Sequence, residues 1–214
     1  MAVWQELLAN SPGAAPNGLD RASRCGRIIA SSARSPARHA PLIPPIPPKQ
    51  PNAMSNFSLP TPSEEHTRIT SSAGTWDVDC SFFQGGPEPM KVAATETIEA
   101  LGPFFSRSAF QGEMYGMPYQ GSATLGYEPH TKDYVATWID SMTPQLFVFR
   151  GGFDEAGQVL TMSGEMDDLW SGGRATYRTV ETHEGPDRRT FEMFMQAGDA
   201  PEIQLCRHVY TRRT

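Results

Sequence analysis

Arg207 lies in the run Ile203-Gln204-Leu205-Cys206-Arg207-His208-Val209, where Ile203, Leu205 and Val209 alternate with Glu202, Gln204 and His208. Alternation of that kind marks a strand with one face toward a core. It sets Arg207 on the apolar face with its guanidinium aimed inward, and it turns His208 outward. A buried guanidinium without a partner is costly, so Arg207 calls for an internal carboxylate such as Glu96 or Asp140, or for an anionic ligand. Trp138 and Asp140 lie two apart and share a strand face, an apolar plate beside an acceptor. A strand tryptophan more often belongs to a core, and an aspartate at a strand end more often ties up backbone donors in a turn; both readings stay open. Phe149, Tyr127 and Met193 complete the candidate ligand-binding set with Arg207, Trp138 and Asp140. No residue is assigned a catalytic role. An enzyme built in the same cavity would use Asp140 or Glu165 for proton transfer, its pKa raised by burial.

The five histidines, His39, His66, His130, His183 and His208, show neither the i, i+4 nor the His-x-His spacing of a metal site. The segment Asp167-Asp168-Leu169-Trp170-Ser171-Gly172-Gly173 reads as a hairpin loop with Trp170 folded over a barrel mouth, without the spacing of a calcium loop. Glycine-rich phosphate loops and a Gly-x-Ser-x-Gly nucleophile elbow are lacking. Neither a metal nor a cofactor is expected. Cys25, Cys80 and Cys206 are odd in number and widely spaced, which fits reduced thiols and a cytoplasmic protein. Cys80 and Cys206 fall in opposite alternation phases, so no bridge between them is expected.

The elements that must position these residues begin after a change in composition near Met54. In residues 1 to 53, six basic side chains (Arg21, Arg24, Arg27, Arg34, Arg38, Lys49) outnumber two acids (Glu6, Asp20), for a charge of +4. With a net charge of −6 for the whole chain, residues 54 to 214 carry −10, which disfavours nucleic acid or an anionic membrane as partner. The run Pro41-Leu42-Ile43-Pro44-Pro45-Ile46-Pro47-Pro48 cannot form a strand within a sheet. Residues 1 to 53 therefore read as a disordered tail or a mis-assigned upstream extension, with Met54 as a natural start. No apolar run approaches the length of a transmembrane helix.

Pro62 and Ser63, followed by Glu64 and Glu65, open a short helix that ends before Gly74. Beyond it, turn signals recur at the spacing of sandwiches and barrels. They are Gly85-Gly86-Pro87, Gly102-Pro103, Gly116 to Pro118, Glu128-Pro129, Thr143-Pro144, Glu155-Ala156-Gly157, Gly172-Gly173, Gly185-Pro186 and Gly198-Asp199. Nine breaks imply ten strands. Trp76, Val78, Cys80 and Phe82 face inward against Asp77, Asp79 and Ser81, as Phe191, Met193 and Met195 do against Thr190 and Glu192. No long helical pattern separates the strands, so the fold class is all-β. A single antiparallel up-and-down barrel of about ten strands, with a short N-terminal helix, removes the sheet edges and encloses a cavity for one small ligand. The small residues Ser108, Ala109, Gly121, Ser122 and Ala123 leave room inside.

The ordered motifs Gly121 to Thr137, Trp138-Ile139-Asp140-Ser141-Met142, Gly151-Gly152-Phe153-Asp154 and Leu160-Thr161-Met162-Ser163-Gly164-Glu165 resemble the bacterial domain of unknown function 1579 over about residues 63 to 212. The resemblance implies a calycin-like barrel related to lipocalins and fatty-acid-binding proteins, and Gly74-Thr75-Trp76 looks like the opening signature of many calycin first strands. No activity comes with the resemblance. Among these relatives, fatty-acid-binding proteins hold a carboxylate with an arginine on the last strand, and nitrobindins bind haem through a histidine near the C-terminus; Arg207 and His208 occupy that neighbourhood. The expected function is binding of a small, partly apolar or anionic molecule in the interior, of unknown oligomeric state. The alternatives are an isomerase- or hydrolase-type enzyme, a nitrobindin-like haem barrel, and an interaction protein whose barrel is filled.

Overall fold

The computed structural model describes residues 58–83, 88–168 and 171–214. The expected extension of residues 1 to 53, the turn at Gly85-Gly86-Pro87 and the loop residue Trp170 lie outside the described residues. A single helix, α1 (Glu64–Ser71), precedes ten strands. These are β1 (Gly74–Phe82), β2 (Met90–Leu101), β3 (Phe105–Met114), β4 (Met117–Glu128), β5 (Asp133–Asp140), β6 (Phe147–Phe153), β7 (Val159–Asp167), β8 (Arg174–Gly185), β9 (Arg188–Ala197) and β10 (Ile203–Arg212). Each strand pairs antiparallel with the next, and β10 returns to β1, so the sheet is a closed up-and-down barrel, as its ten evenly punctuated runs require. The turn between β3 and β4 shows the local chemistry: Tyr115 (φ 54°) and Gly116 (φ 73°) both adopt the left-handed region that a two-residue hairpin matching strand twist demands.

Helix α1 starts where Ser63 predicts. The Ser63 N–H donates to His66 Nδ1 at 3.1 Å, so His66 takes the reciprocal role usually held by Glu in a capping box. The helix covers one end of the barrel. Ile69 is buried among lumen residues, and the His66 ring stands edge-on to Phe104 and Tyr127. Arg68 Nη1 donates to the Gly157 carbonyl at 3.2 Å, and Trp76 Nε1 donates to the Ser72 carbonyl at 3.1 Å.

Inward-facing residues form two clusters. One joins Ile69, Tyr134, Phe147, Phe149, Leu160, Met162, Met166, Tyr177 and Met195, mainly from β5 to β9. The other joins Trp76, Val78, Cys80, Ile98, Phe110 and Tyr210, from β1 to β3 and β10. The inward assignments of Trp76, Val78, Cys80 and Met195 agree with their burial.

On β10 the expected phase is corrected. Ile203 pairs with the inward Met195 and Cys206 pairs with the inward Met193, so the four residues Ile203 to Cys206 of β10 oppose three of β9. This bulge inserts Leu205 and inverts the alternation after it. Cys206, His208 and Tyr210 face the lumen and are buried, whereas the Arg207 side chain is 47% exposed on the outside. The two cysteines are corrected with it. Cys80 pairs with His208 and Phe82 with Cys206, so both thiols share the inner face as diagonal neighbours, and both are free. Burial pushes each thiol up to about 12, which keeps both protonated.

Candidate functional site

The end of the barrel opposite α1 contains His208 in a cage of rings. Phe82 stands edge-on to the imidazole with centroids 5.1 Å apart, Phe191 lies tilted at 5.8 Å, and Phe110 lies parallel at 6.1 Å. Cross-strand pairing fixes this set: His208 is opposite Cys80 on one side and Phe191 on the other. The Tyr210 hydroxyl approaches His208 Nδ1 at 3.5 Å, while Nε2 is buried with no hydrogen-bond partner. Burial lowers the His208 pKa to about 4, so the ring is neutral at pH 7. Ser108 Oγ, on the inner face of β3, is likewise buried and unpartnered. Unsatisfied polar atoms of this kind call for an explanation, and a group that binds in the chamber is one.

Across the lumen Phe110 stands edge-on to Tyr119 and Trp138, at 5.9 and 6.0 Å. Trp138 Nε1 donates to Asp140 Oδ2 at 3.1 Å, and Asp140 Oδ1 accepts the N–H groups of Met142 and Thr143 at 2.8 Å each. The Tyr119 hydroxyl is hydrogen-bonded to the same carboxylate, and burial raises its pKa. Asp140 is thus a fully engaged turn acceptor that fixes the tryptophan.

Nearer the helix the lumen holds a buried charge network. Arg189 bridges Glu96 and, at 3.0 Å, Glu181, and His183 Nε2 lies 2.9 Å from Glu181. The Arg189 guanidinium also lies 4.0 Å from the Tyr210 ring centroid and 4.9 Å from that of Trp76. Burial works against ionisation of Glu181, but the charge of Arg189 and the contact with His183 bring its pKa down to about 2. Burial likewise opposes the Arg189 charge, and Glu181 and Glu96 outweigh it, holding the guanidinium above its usual range.

The sequence-predicted residues do not converge on one point. Trp138 and Asp140 are together toward the end opposite α1. Met193 is partly buried in the lumen wall, and Phe149 is a core residue stacked beside Phe147 at 6.2 Å. Tyr127 lies at the helix end against His66 and Tyr134. Arg207 is outside, its Nε 3.9 Å from Glu192. Glu165 is exposed on the outer face of β7. Of the small residues expected to leave room, Ala109 and Ser122 belong to the outward set. Gly121 faces inward, but a Cβ there would come within 2.2 Å of the Trp138 ring, which fills the space.

The interior arginine that the sequence argument assigned to position 207 is Arg189, and its partner is the Glu96 named for that role. A signal for it existed: Arg189 shares the phase of Phe191, Met193 and Met195. His208 was missed because nothing in the composition of Gln204-Leu205-Cys206 announces a bulge.

Two clefts lie at the barrel's ends. One, of about 420 Å³, is lined by Met90 to Ala93, Glu113, Tyr115 and Gly116; the other, of about 290 Å³, lies beside α1 at Arg68, Lys132 and Phe153. Among the described residues no group of three or more His, Cys, Asp or Glu side chains is arranged to hold a metal ion, and no helix is long and apolar enough to cross a membrane.

Among solved structures, the chain resembles the crystal structure of Rv2717c from M. tuberculosis at 12% identity and a TM-score of 0.54, over 72% of this chain and 100% of that one. It also matches a redesigned beta barrel, mFAP0, bound to DFHBI, at 11% identity and a TM-score of 0.38, over 66% of this chain and 99% of that one. The first likeness supports the barrel fold alone. No curated protein matches the sequence. Residues 61–212 match the model described as protein of unknown function (DUF1579), and the chain therefore belongs to that family.

Proposed function

We propose that the protein is a binding module whose lumen beside His208 takes one small, flat, largely apolar molecule, with His208 as its polar contact. His208 carries this reading: a neutral imidazole, 9% exposed, directs an unpartnered Nε2 into a cage of Phe82, Phe110 and Phe191. Small-molecule sites combine this kind of apolar lining with a few placed polar atoms. Within that class a haem-type macrocycle fits the donor best, because neutral imidazole is its common axial ligand and flat rings suit its faces. Such a group supplies a metal centre for gas binding or electron transfer when bound. The chain's own residues do the rest. His208 Nε2 would be the nitrogen that holds the group, Tyr210, 3.5 Å from the other ring nitrogen, would orient the imidazole, and the phenylalanines would exclude water.

An anionic ligand held by an interior arginine has less support, since Arg207 is outside and Arg189 is committed to Glu96 and Glu181. The enzyme reading also weakens: both Asp140 oxygens are engaged, and Glu165 points away from the lumen. The test is a titration of the purified protein with haemin. Wild type is expected to give a shifted Soret band at one equivalent, and His208→Ala to lose about tenfold or more in affinity. Equal binding by both proteins, or none by wild type, refutes the reading.

A further inference from the structure

The ladder between β2 and β3, like that between β6 and β7, stops short of the strand ends. β2 pairs with β1 from Met90 to Ile98, yet its ladder with β3 runs only from Ala94, opposite Gly112, to Leu101, opposite Phe105. Past that fork, Met90 to Ala93 on one side and Glu113-Met114 on the other have no ladder partner across the gap. Gly112 marks the fork itself: a Cβ there would lie 3.0 Å from the Ala94 Cβ, so the strands touch at this point and part directly beyond it. The cleft of about 420 Å³ lined by Met90, Lys91, Val92, Ala93, Glu113, Tyr115 and Gly116 occupies the gap. Leaving backbone donors and acceptors unpaired within an otherwise continuous ladder is a cost that closed barrels normally avoid.

Alternation gives this cleft its meaning. Val92 belongs to the inward set, for it packs against the cluster of Trp76, Val78, Cys80 and Phe110, and Met90 shares its phase. Lys91 and Ala93 belong to the outward set and are exposed. Residues of both sets therefore line this cleft. One of its lining residues is two strands from the candidate site: Val92 is the cross-strand partner of Cys80, and Cys80 is the partner of His208.

We propose that the split between β2 and β3 is a side portal through which a small molecule reaches the His208 chamber, with Lys91 at the outer lip receiving an acidic substituent. The proposal rests on the binding reading above and adds the route and the charge preference. Lys91 makes no ion pair with a described residue, so its ammonium is available to a carboxylate that stays in water while the apolar body passes Val92.

Cys80, the cross-strand partner of Val92 on the inner face, reports access without any ligand. N-ethylmaleimide labelling of Cys80 in the full chain, read by peptide mass mapping so that Cys25 and Cys206 do not interfere, is expected to slow at least about tenfold in Val92→Trp and to quicken in Val92→Ala, since local access rather than global unfolding then sets the rate. Should Val92→Trp fail to fold, Ala93→Trp on the exposed lip gives the same block. In stopped flow with haemin, Val92→Trp is expected to slow association and dissociation alike, and Lys91→Glu to slow association by an amount that shrinks with salt. Cys80 labelling that is the same in wild type and both tryptophan variants overturns the portal. Labelling as expected with no haemin binding by wild type keeps the portal and refutes the His208 reading together with the role of Lys91.

Discussion

The two walls of the lumen differ in kind. From β5 to β9 the buried cluster is aromatic, thioether and aliphatic, led by Tyr134, Phe147, Phe149, Leu160, Met162 and Tyr177, with Thr179 as a buried polar neighbour. The facing wall, built from β1 to β3 and β10 with the helix-side ends of β8 and β9, buries Glu96, Arg189, Ser108 and His208 beside Trp76 and Tyr210. Hydrocarbon on one side stabilises the closed sheet by area removed from water. Polar groups on the other carry desolvation costs and are tolerated only where partnered. Arg189 is held by two carboxylates, and among the described residues of that wall the buried side-chain atoms left without a hydrogen-bond partner are Ser108 Oγ, Arg189 Nε and His208 Nε2. The contrast separates what holds the barrel closed from what is left to bind.

The sharpest way to break the comparison is at Arg189. Arg189→Ala strands Glu96 and Glu181 as buried carboxylates, and urea unfolding should show a loss of about 3–5 kcal/mol. Arg189→Met combined with Glu96→Gln and Glu181→Gln should recover much of it. In the opposite wall Phe149→Ala removes a buried ring, with a loss of roughly 3–5 kcal/mol and haemin affinity unchanged if Phe149 serves packing rather than the ligand.

A smaller effect concerns pH. The Arg189 charge and the His183 contact hold the Glu181 carboxyl at about 2, below the 4.5 usual for a glutamate. Between those values the unfolded chain binds the proton more tightly, so the stabilisation is complete above about pH 4.5 and is lost as pH falls toward 2. Thermal melts from pH 6 to 2.5 should drop less steeply in Glu181→Gln than in wild type. The smallest change is expected at Arg207, outside the barrel. Arg207→Ala should alter stability by less than about 0.5 kcal/mol and leave the binding of carboxylate-bearing and neutral ligands alike, as isothermal titration would show.

The barrel was legible in the sequence because each strand ends at a Gly, Pro or acidic turn and because Trp76, Val78 and Cys80 alternate cleanly with exposed aspartates. Helix α1 was legible from Ser63 and the acids behind it. The site was legible only in part. Ring-rich strands announce a lumen but not which rings meet, and Tyr127 and Trp138, both aromatic on inward phases, lie at opposite ends. On β10 a single inserted residue, Leu205, exchanges the faces of Arg207 and His208, and a bulge is set by cross-strand pairing that local sequence does not encode. The logic that a buried arginine needs Glu96 held, at Arg189 in place of Arg207. Gly121 signalled space, whereas its missing side chain makes room for the Trp138 ring.

The most direct test is the absorption spectrum of the haemin-loaded protein, comparing wild type, His208→Ala, and His208→Ala with added imidazole. If His208 Nε2 is the free donor of the chamber, the Soret band of wild type is lost in the variant and restored by imidazole. A variant whose spectrum matches wild type without imidazole would contradict the account.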